Sequence, residues 1–290
     1  MRFERGLQPT PIEHVAIIGC GFSGALQAIN LVRHEGPRAT VIERRSEAGK
    51  GVAYSSLHPQ HVLNVRAAKM SALPDQPNHF VNWLTHHGHP FTGTDFVPRQ
   101  VYGTYLQDLL AETVRDSGGR LKLVQADVES VEYDGNARVH LSSGEVVTAD
   151  RAVLAVGNLP PHDPDGFRSS ALPARLYQTD PWAFGMLDAL DPDADVLLLG
   201  TGLTMVDVCL LLKATGHRGK IFAVSRRGLV PHRHDEPHAP PSRRSENPRG
   251  GLAEMTKDVR SRARVIDWQD AVDELRPVTQ SLWRGLSHDQ

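Results

Sequence analysis

The chain has 290 residues, 40% of them hydrophobic and 23% charged, with a formal net charge of −2. These are values of a folded globular protein of one large or two ordinary domains. The near-neutral balance offers no basic field to nucleic acid, and no uninterrupted apolar run is long enough to span a bilayer. The opening MRFERGLQPTPIEH has no apolar core of a signal peptide, so the expected location is the cytoplasm. Cys20 and Cys209 lie far apart and no C-x-x-C exists, which argues against a redox dithiol.

Residues 1–13 read as a tail. Val15–Ile18 is a short β-branched and apolar run, the pattern of a strand buried on both faces. Gly19, Gly21 and Gly24 follow as G-x-G-x-x-G, and an apolar helical pattern begins at Ala25. The first glycine allows the tight turn, the second lets a pyrophosphate approach the backbone, and the third lets helix and strand pack closely. The free N–H groups of the helix start favour an anion. Phe22 and Ser23, inside the bend, are candidate contacts with it. A second strand, Ala39–Ile42, ends in Glu43, 24 residues after Gly19, where a carboxylate can accept hydrogen bonds from an adenosine ribose. Arg44 beside it is a further candidate.

Gly49 and Gly51 flank Lys50 in a turn, and an irregular segment runs from Tyr54 to about Leu73. Pro77–His87 suggests a short helix and Val101–Val114 an amphipathic one ended by Gly118–Gly119. Tyr102 and Tyr105 read as helix core. Leu121–Val124 is a strand. Val128–Tyr133, Ala137–Leu141 and Val146–Thr148 form an antiparallel meander with turns at Asp134-Gly135-Asn136 and Ser142-Ser143-Gly144. Arg151–Val156 reads as another buried strand ending at Gly157. The segment from Leu159 to Pro192 is proline-rich and connective.

Asp195–Leu199, again read as a buried strand, begins an internal echo: LLLGTGLTMVD repeats the strand–bend–helix pattern 181 residues on. Gly200 and Gly202 match the first two glycines, with Leu203 and Thr204 opening the helix Leu203–Ala214. Met205 stands in the third glycine's place and should hold the helix slightly off the strand. The next strand, Lys220–Val224, leads into Ser225-Arg226-Arg227 with no acid. Guanidinium groups there suit a ribose 2′-phosphate, which favours NADPH over NADH. Gly228–Gly251 is a loop holding His232, His234 and His238, and its prolines give these imidazoles no preset metal geometry. Helices are expected at Leu252–Arg262 and Trp268–Leu286. The expected division is 1–160, 161–192 as connection, and 193–290.

Two dinucleotide motifs with a meander between them resemble the FAD/NAD(P)-binding oxidoreductases with two dinucleotide-binding domains. The resemblance implies an α/β fold of two Rossmann-like domains, with FAD on the first motif and NAD(P)H on the second. Ala155-Val156-Gly157 is a weak copy of the family's alanine-threonine-glycine segment, which passes the flavin pyrophosphate. GKGVAYSS at 49–56, HVLNVRAAKMSALP at 61–74 and FVPRQVYGTYLQDLL at 96–110 look like an uncharacterised bacterial branch, distantly similar to flavin-dependent N-hydroxylating monooxygenases. By that resemblance Asn64 and Val65 lie near the flavin ring and Arg99 near the FAD phosphates; Gly51 and Val128 complete the candidate set. Tyr177-Gln178 stands where related flavin monooxygenases carry a His-containing signature, which argues against the Baeyer–Villiger and classical groups. Such relatives run well past WRGLSHDQ, so the expectation is a C-terminally shortened chain.

The expected function is reduction of bound FAD by NADPH, with electrons passed to oxygen or to a small organic acceptor. The alternative is a non-catalytic dinucleotide-binding module acting as a redox-sensing or partner protein. No catalytic side chain, metal ligand or oligomeric state is assigned.

Overall fold

The computed structural model describes residues 11–56, 58–164, 166–183, 185–233, 251–275 and 278–286. The chain divides into two compact units, Met1–His232 and Arg233–Gln290. The boundaries expected near 160 and 193 therefore fall inside the first unit.

That unit is built on a parallel sheet. β1 (His14–Ile18) leads through α1 (Phe22–Arg33) to β2 (Arg38–Glu43). Two helices follow, α2 (His79–His86) and α3 (Arg99–Asp116), and then β3 (Leu121–Gln125). An antiparallel sheet of β4 (Val128–Tyr133), β5 (Ala137–Leu141) and β6 (Val146–Ala149) comes before β7 (Arg151–Leu154). The parallel order is β3-β2-β1-β7, half of a doubly wound sheet with the meander inserted before its fourth strand.

The period-two alternation of β1 sorts two cores. Val15 and Ile17 face the helices, where they meet Ile29 of α1 and Tyr102, Tyr105 and Leu106 of α3. Ala16 and Ile18 face the meander and meet Val139, Leu141 and Ala149. A strand buried on both faces must be apolar at every position, which is why HVAII carries no alternation. Tyr102 and Tyr105 are core, as read. The Tyr105 hydroxyl accepts from the Ala72 amide at 3.2 Å and pairs with His79 Nδ1 at 2.8 Å.

The strand–helix–strand pattern recurs in β8 (Val196–Leu199), α4 (Leu203–Ala214) and β9 (Ile221–Val224), with β8 and β9 paired in parallel. Two strands read as buried are not. Leu154 at the end of β7 is 68% exposed, and Leu197, Leu199, Phe222 and Val224, one face of the β8–β9 pair, are all exposed. β7 is a sheet edge and β8 has one partner among the described residues, so apolar sequence there does not translate into burial.

In the second unit, α5 (Leu252–Arg262) has the expected bounds. The expected long helix from Trp268 is instead α6 (Trp268–Asp273) and α7 (Thr279–Gly285). Pro277 in the sequence between them lacks an amide proton and disfavours helix at its predecessor. No helix of the described residues is long and apolar enough to cross a membrane.

Candidate functional site

The site is assembled on the bend between β1 and α1. Gly19 has φ +95°, and a Cβ there would lie 2.4 Å from the Ala155 carbonyl oxygen. A Cβ on Gly24 would lie 1.9 Å from the Gly19 oxygen. The first and third glycines therefore exist because backbone occupies the space of their side chains. α1 starts from Gly21 with no side-chain cap and no acidic residue in its first turn. Its leading amides and its positive dipole end are thus directed at whatever lies beyond the bend.

Glu43 is joined to this bend. Its Oε2 accepts from the Cys20 amide at 2.7 Å and its Oε1 from the Arg45 amide at 3.0 Å. The Cys20 carbonyl accepts from the Gly49 amide at 2.7 Å. That bond lays the Gly49–Gly51 turn across the bend, where a Cβ on Gly21 would come within 3.4 Å of Gly51 Cα. Ala155 runs on from β7 alongside, its amide donating to Ile18 at 2.8 Å, and Gly157 follows in the open with φ +74°. Gly19, Gly21, Phe22, Ser23, Gly24, Glu43, Gly51 and the Ala155–Gly157 segment therefore share one place. Arg44 is exposed at its rim. Cys20 is fully buried, and burial pushes its thiol up to about 11, so it is inert.

The second bend has the same backbone. Gly21 (φ −72°, ψ −167°) caps α1 and Gly202 (φ −82°, ψ −169°) caps α4, again with no side-chain cap. The Gly19 amide donates to Ile42 at 2.8 Å and the Gly200 amide to Val224 at 2.8 Å. A Cβ on Gly200 or Gly202 would meet no heavy atom within 4 Å, so this bend opens to space. Leu203 and Thr204 form the exposed first turn, and Arg226 and Arg227 are exposed just beyond β9. Thr201 is buried, and its hydroxyl bonds Ser225 Oγ at 2.8 Å and the Leu229 carbonyl. Ser225 Oγ also accepts from the Gly228 amide at 3.1 Å, so the loop bearing both arginines is tied to the glycine bend.

The remaining expected positions are carried by other elements of the first unit. Asn64 is exposed and Val65 half-buried on the loop before the 3₁₀ turn Ala67–Lys69, and Val128 packs against the meander core. Arg99, expected at the FAD phosphates, sends Nη1 to Asp207 Oδ2 at 2.8 Å and Nε to the Val62 carbonyl at 3.0 Å. The Tyr54 hydroxyl near it is raised by burial, with the Arg99 charge opposing. Asp207, His61 and Thr201 were not among the candidates. One signal was available: Asp207 is the single acid in the apolar helix LTMVDVCLLLKA. His234 and His238 lie outside the described residues. Among the described residues no group of three or more His, Cys, Asp or Glu is placed to hold a metal ion.

A family model described as FAD-NAD(P)-binding matches residues 16–159. No curated protein matches the chain. Among solved structures, the closed form of cyclohexanone monooxygenase is 19% identical, with a TM-score of 0.52 over 73% of this chain and 38% of its own. OTEMO in complex with FAD and NADP is 18% identical, with a TM-score of 0.48 over 74% of this chain and 39% of its own. The chain thus spans well under half the length of these structures, and the likeness is one of fold. The sequence likeness to an FAD-NAD(P)-binding domain thus covers residues 16–159, which include the first bend and its parallel sheet.

Proposed function

We propose that the protein is a flavin-dependent oxidoreductase in which NADPH bound at the second bend reduces FAD bound at the first. The observation that carries this reading is the uncapped α1 N-terminus with the Glu43 carboxylate fixed beside it by the Cys20 amide at 2.7 Å. The α1 amides would hold the FAD pyrophosphate, and the free lone pairs of Glu43 would take the adenosine ribose hydroxyls. The α4 amides would hold the second pyrophosphate, with Arg226 and Arg227 offering guanidinium groups to a 2′-phosphate. When bound, FAD supplies the redox chemistry, and oxygen or a small organic molecule is the proposed final acceptor.

The test is an absorption spectrum of the purified protein supplemented with FAD, followed by NADPH addition without oxygen. A flavin band that persists through desalting and bleaches with NADPH is expected, with NADH slower. A protein that retains no flavin, or a flavin that NADPH leaves oxidised, would overturn the proposal.

A further inference from the structure

We infer that Asp207, held by Arg99 and His61, is a positioning residue that fixes the second dinucleotide bend against the first half of the molecule. The inference rests on the two-cofactor reading above. Asp207 is 6% exposed on a mostly apolar helix, where an unpaired carboxylate would be costly. Both its side chain and its backbone are engaged by residues more than a hundred positions earlier. Arg99 Nη1 donates to Oδ2 at 2.8 Å, and His61 Nε2 meets the Asp207 carbonyl at 2.9 Å. A carbonyl cannot donate, so His61 carries a proton on Nε2, and its Nδ1 pairs with the Ser56 hydroxyl at 2.5 Å.

The two donors are themselves tied together. The Arg99 amide donates to the His61 carbonyl at 2.8 Å and Arg99 Nε to the Val62 carbonyl at 3.0 Å. Trp182, from the connecting segment, completes the node: its ring lies 5.9 Å from the Arg99 guanidinium and edge-on to His61 at 6.2 Å. Arg99 thus holds the carboxylate and His61 the backbone of Asp207, and Trp182 packs against both of these donors.

Its place in α4 gives the node a consequence beyond stability. Asp207 lies four residues into the helix from Leu203, about 6 Å along a rigid axis from the amides of the second bend. Anchoring Asp207 anchors those amides. A hydride donor and acceptor react only at near contact, and a shift of about 1 Å can cost about a hundredfold in rate. The residue touches neither cofactor site, so its effect should appear in the transfer step and not in binding.

The test compares Asp207→Asn, which keeps the carbonyl and the shape, with Arg99→Gln, Arg99→Lys and the Asn/Gln double variant. Four quantities are read: FAD retained, NADP⁺ affinity, the anaerobic rate of flavin reduction at saturating NADPH, and amide hydrogen exchange over residues 203–207 without cofactors. Asp207→Asn and Arg99→Gln should speed that exchange and slow reduction by about tenfold or more, while FAD content holds and NADP⁺ affinity shifts by less than about threefold. Arg99→Lys should recover part of the loss, and the double variant should be no worse than the poorer single. Unchanged exchange and rate, losses that multiply in the double variant, or a loss confined to NADP⁺ affinity would each overturn the inference. If NADPH fails to reduce the wild type, the cofactor reading fails, and the exchange comparison still judges the anchor. If Asp207→Asn does not fold, Arg99→Lys against wild type decides the same quantities.

Discussion

Gly24→Ala isolates the close approach on which the first bend depends. The added Cβ would stand 1.9 Å from the Gly19 oxygen, 3.0 Å from the Gly19 carbonyl carbon and 3.2 Å from Ala155 Cβ. An ordinary carbon–oxygen contact begins near roughly 3.3 Å, so α1 would have to retreat by roughly 1.4 Å. The obstructing atoms are backbone and cannot rotate away. Alanine gains about 1 kcal/mol in helix propensity, whereas overpacking costs about 1–3 kcal/mol, so the folded state should lose up to about 2 kcal/mol. The larger effect falls on the dinucleotide. Displacing even one charge-assisted amide–phosphate bond costs about 1.5–3 kcal/mol, about ten- to hundredfold in affinity. The assay is FAD titration by fluorescence quenching beside urea unfolding of the cofactor-free protein. Gly202→Ala is the control: its φ is −82° and its Cβ would meet nothing within 4 Å, so its stability should change by less than about 1 kcal/mol and FAD affinity should hold. A Gly24→Ala protein that binds FAD like wild type and unfolds no earlier than Gly202→Ala would refute the argument.

Tyr105→Phe should destabilise the first unit by about 1–2 kcal/mol, because it strips the partner from the buried Ala72 amide and from His79; urea midpoints measure it, and no change would deny the hydroxyl its role. Burial holds His14 and His79 below the ordinary imidazole value of 6.5, so the folded protein favours their neutral forms. Stability should therefore be level above about pH 7 and decline as pH falls through 6.5 towards the folded values, before the carboxylates titrate. Unfolding midpoints that stay level from about pH 7.5 to about pH 5.5 would contradict this.

The sequence was most legible where structure is local. α4 and α5 have their expected bounds, because glycine precedes each and apolar or charged periodicity fills it. The meander was legible from its turn residues. α3 begins two residues before the expected Val101, at Arg99, because Pro98 has no amide proton to lose at a helix start. What could not be read was pairing at long range. The family resemblance places Arg99 near the FAD phosphates, whereas its guanidinium is paired with a carboxylate 108 residues away. Exposure was equally illegible for β8: VLLL read as an interior strand, and only the sheet order shows that it has a single partner among the described residues.

The hydrogen-bond register of the two bends explains why one chain would hold two different nucleotides. The first glycine of each bend donates to a strand carbonyl, at Ile42 in one half and at Val224 in the other. The residue that follows is Glu43 in the first case and Ser225 in the second, so these two occupy equivalent places. Each is tied to the middle residue of its own bend, Glu43 through the Cys20 amide and Ser225 through the Thr201 hydroxyl. The tether is kept while the charge is changed. A 2′-phosphate brought within about 4 Å of the Glu43 carboxylate would meet a repulsion of about 4 kcal/mol per charge pair at an effective dielectric of about 20. On the proposed reading the first bend would therefore be closed to a phosphorylated ribose and open to the bare hydroxyls of FAD. Ser225 removes that repulsion, and Arg226 and Arg227 beside it reverse its sign, so the same backbone geometry can select a 2′-phosphate at the second bend.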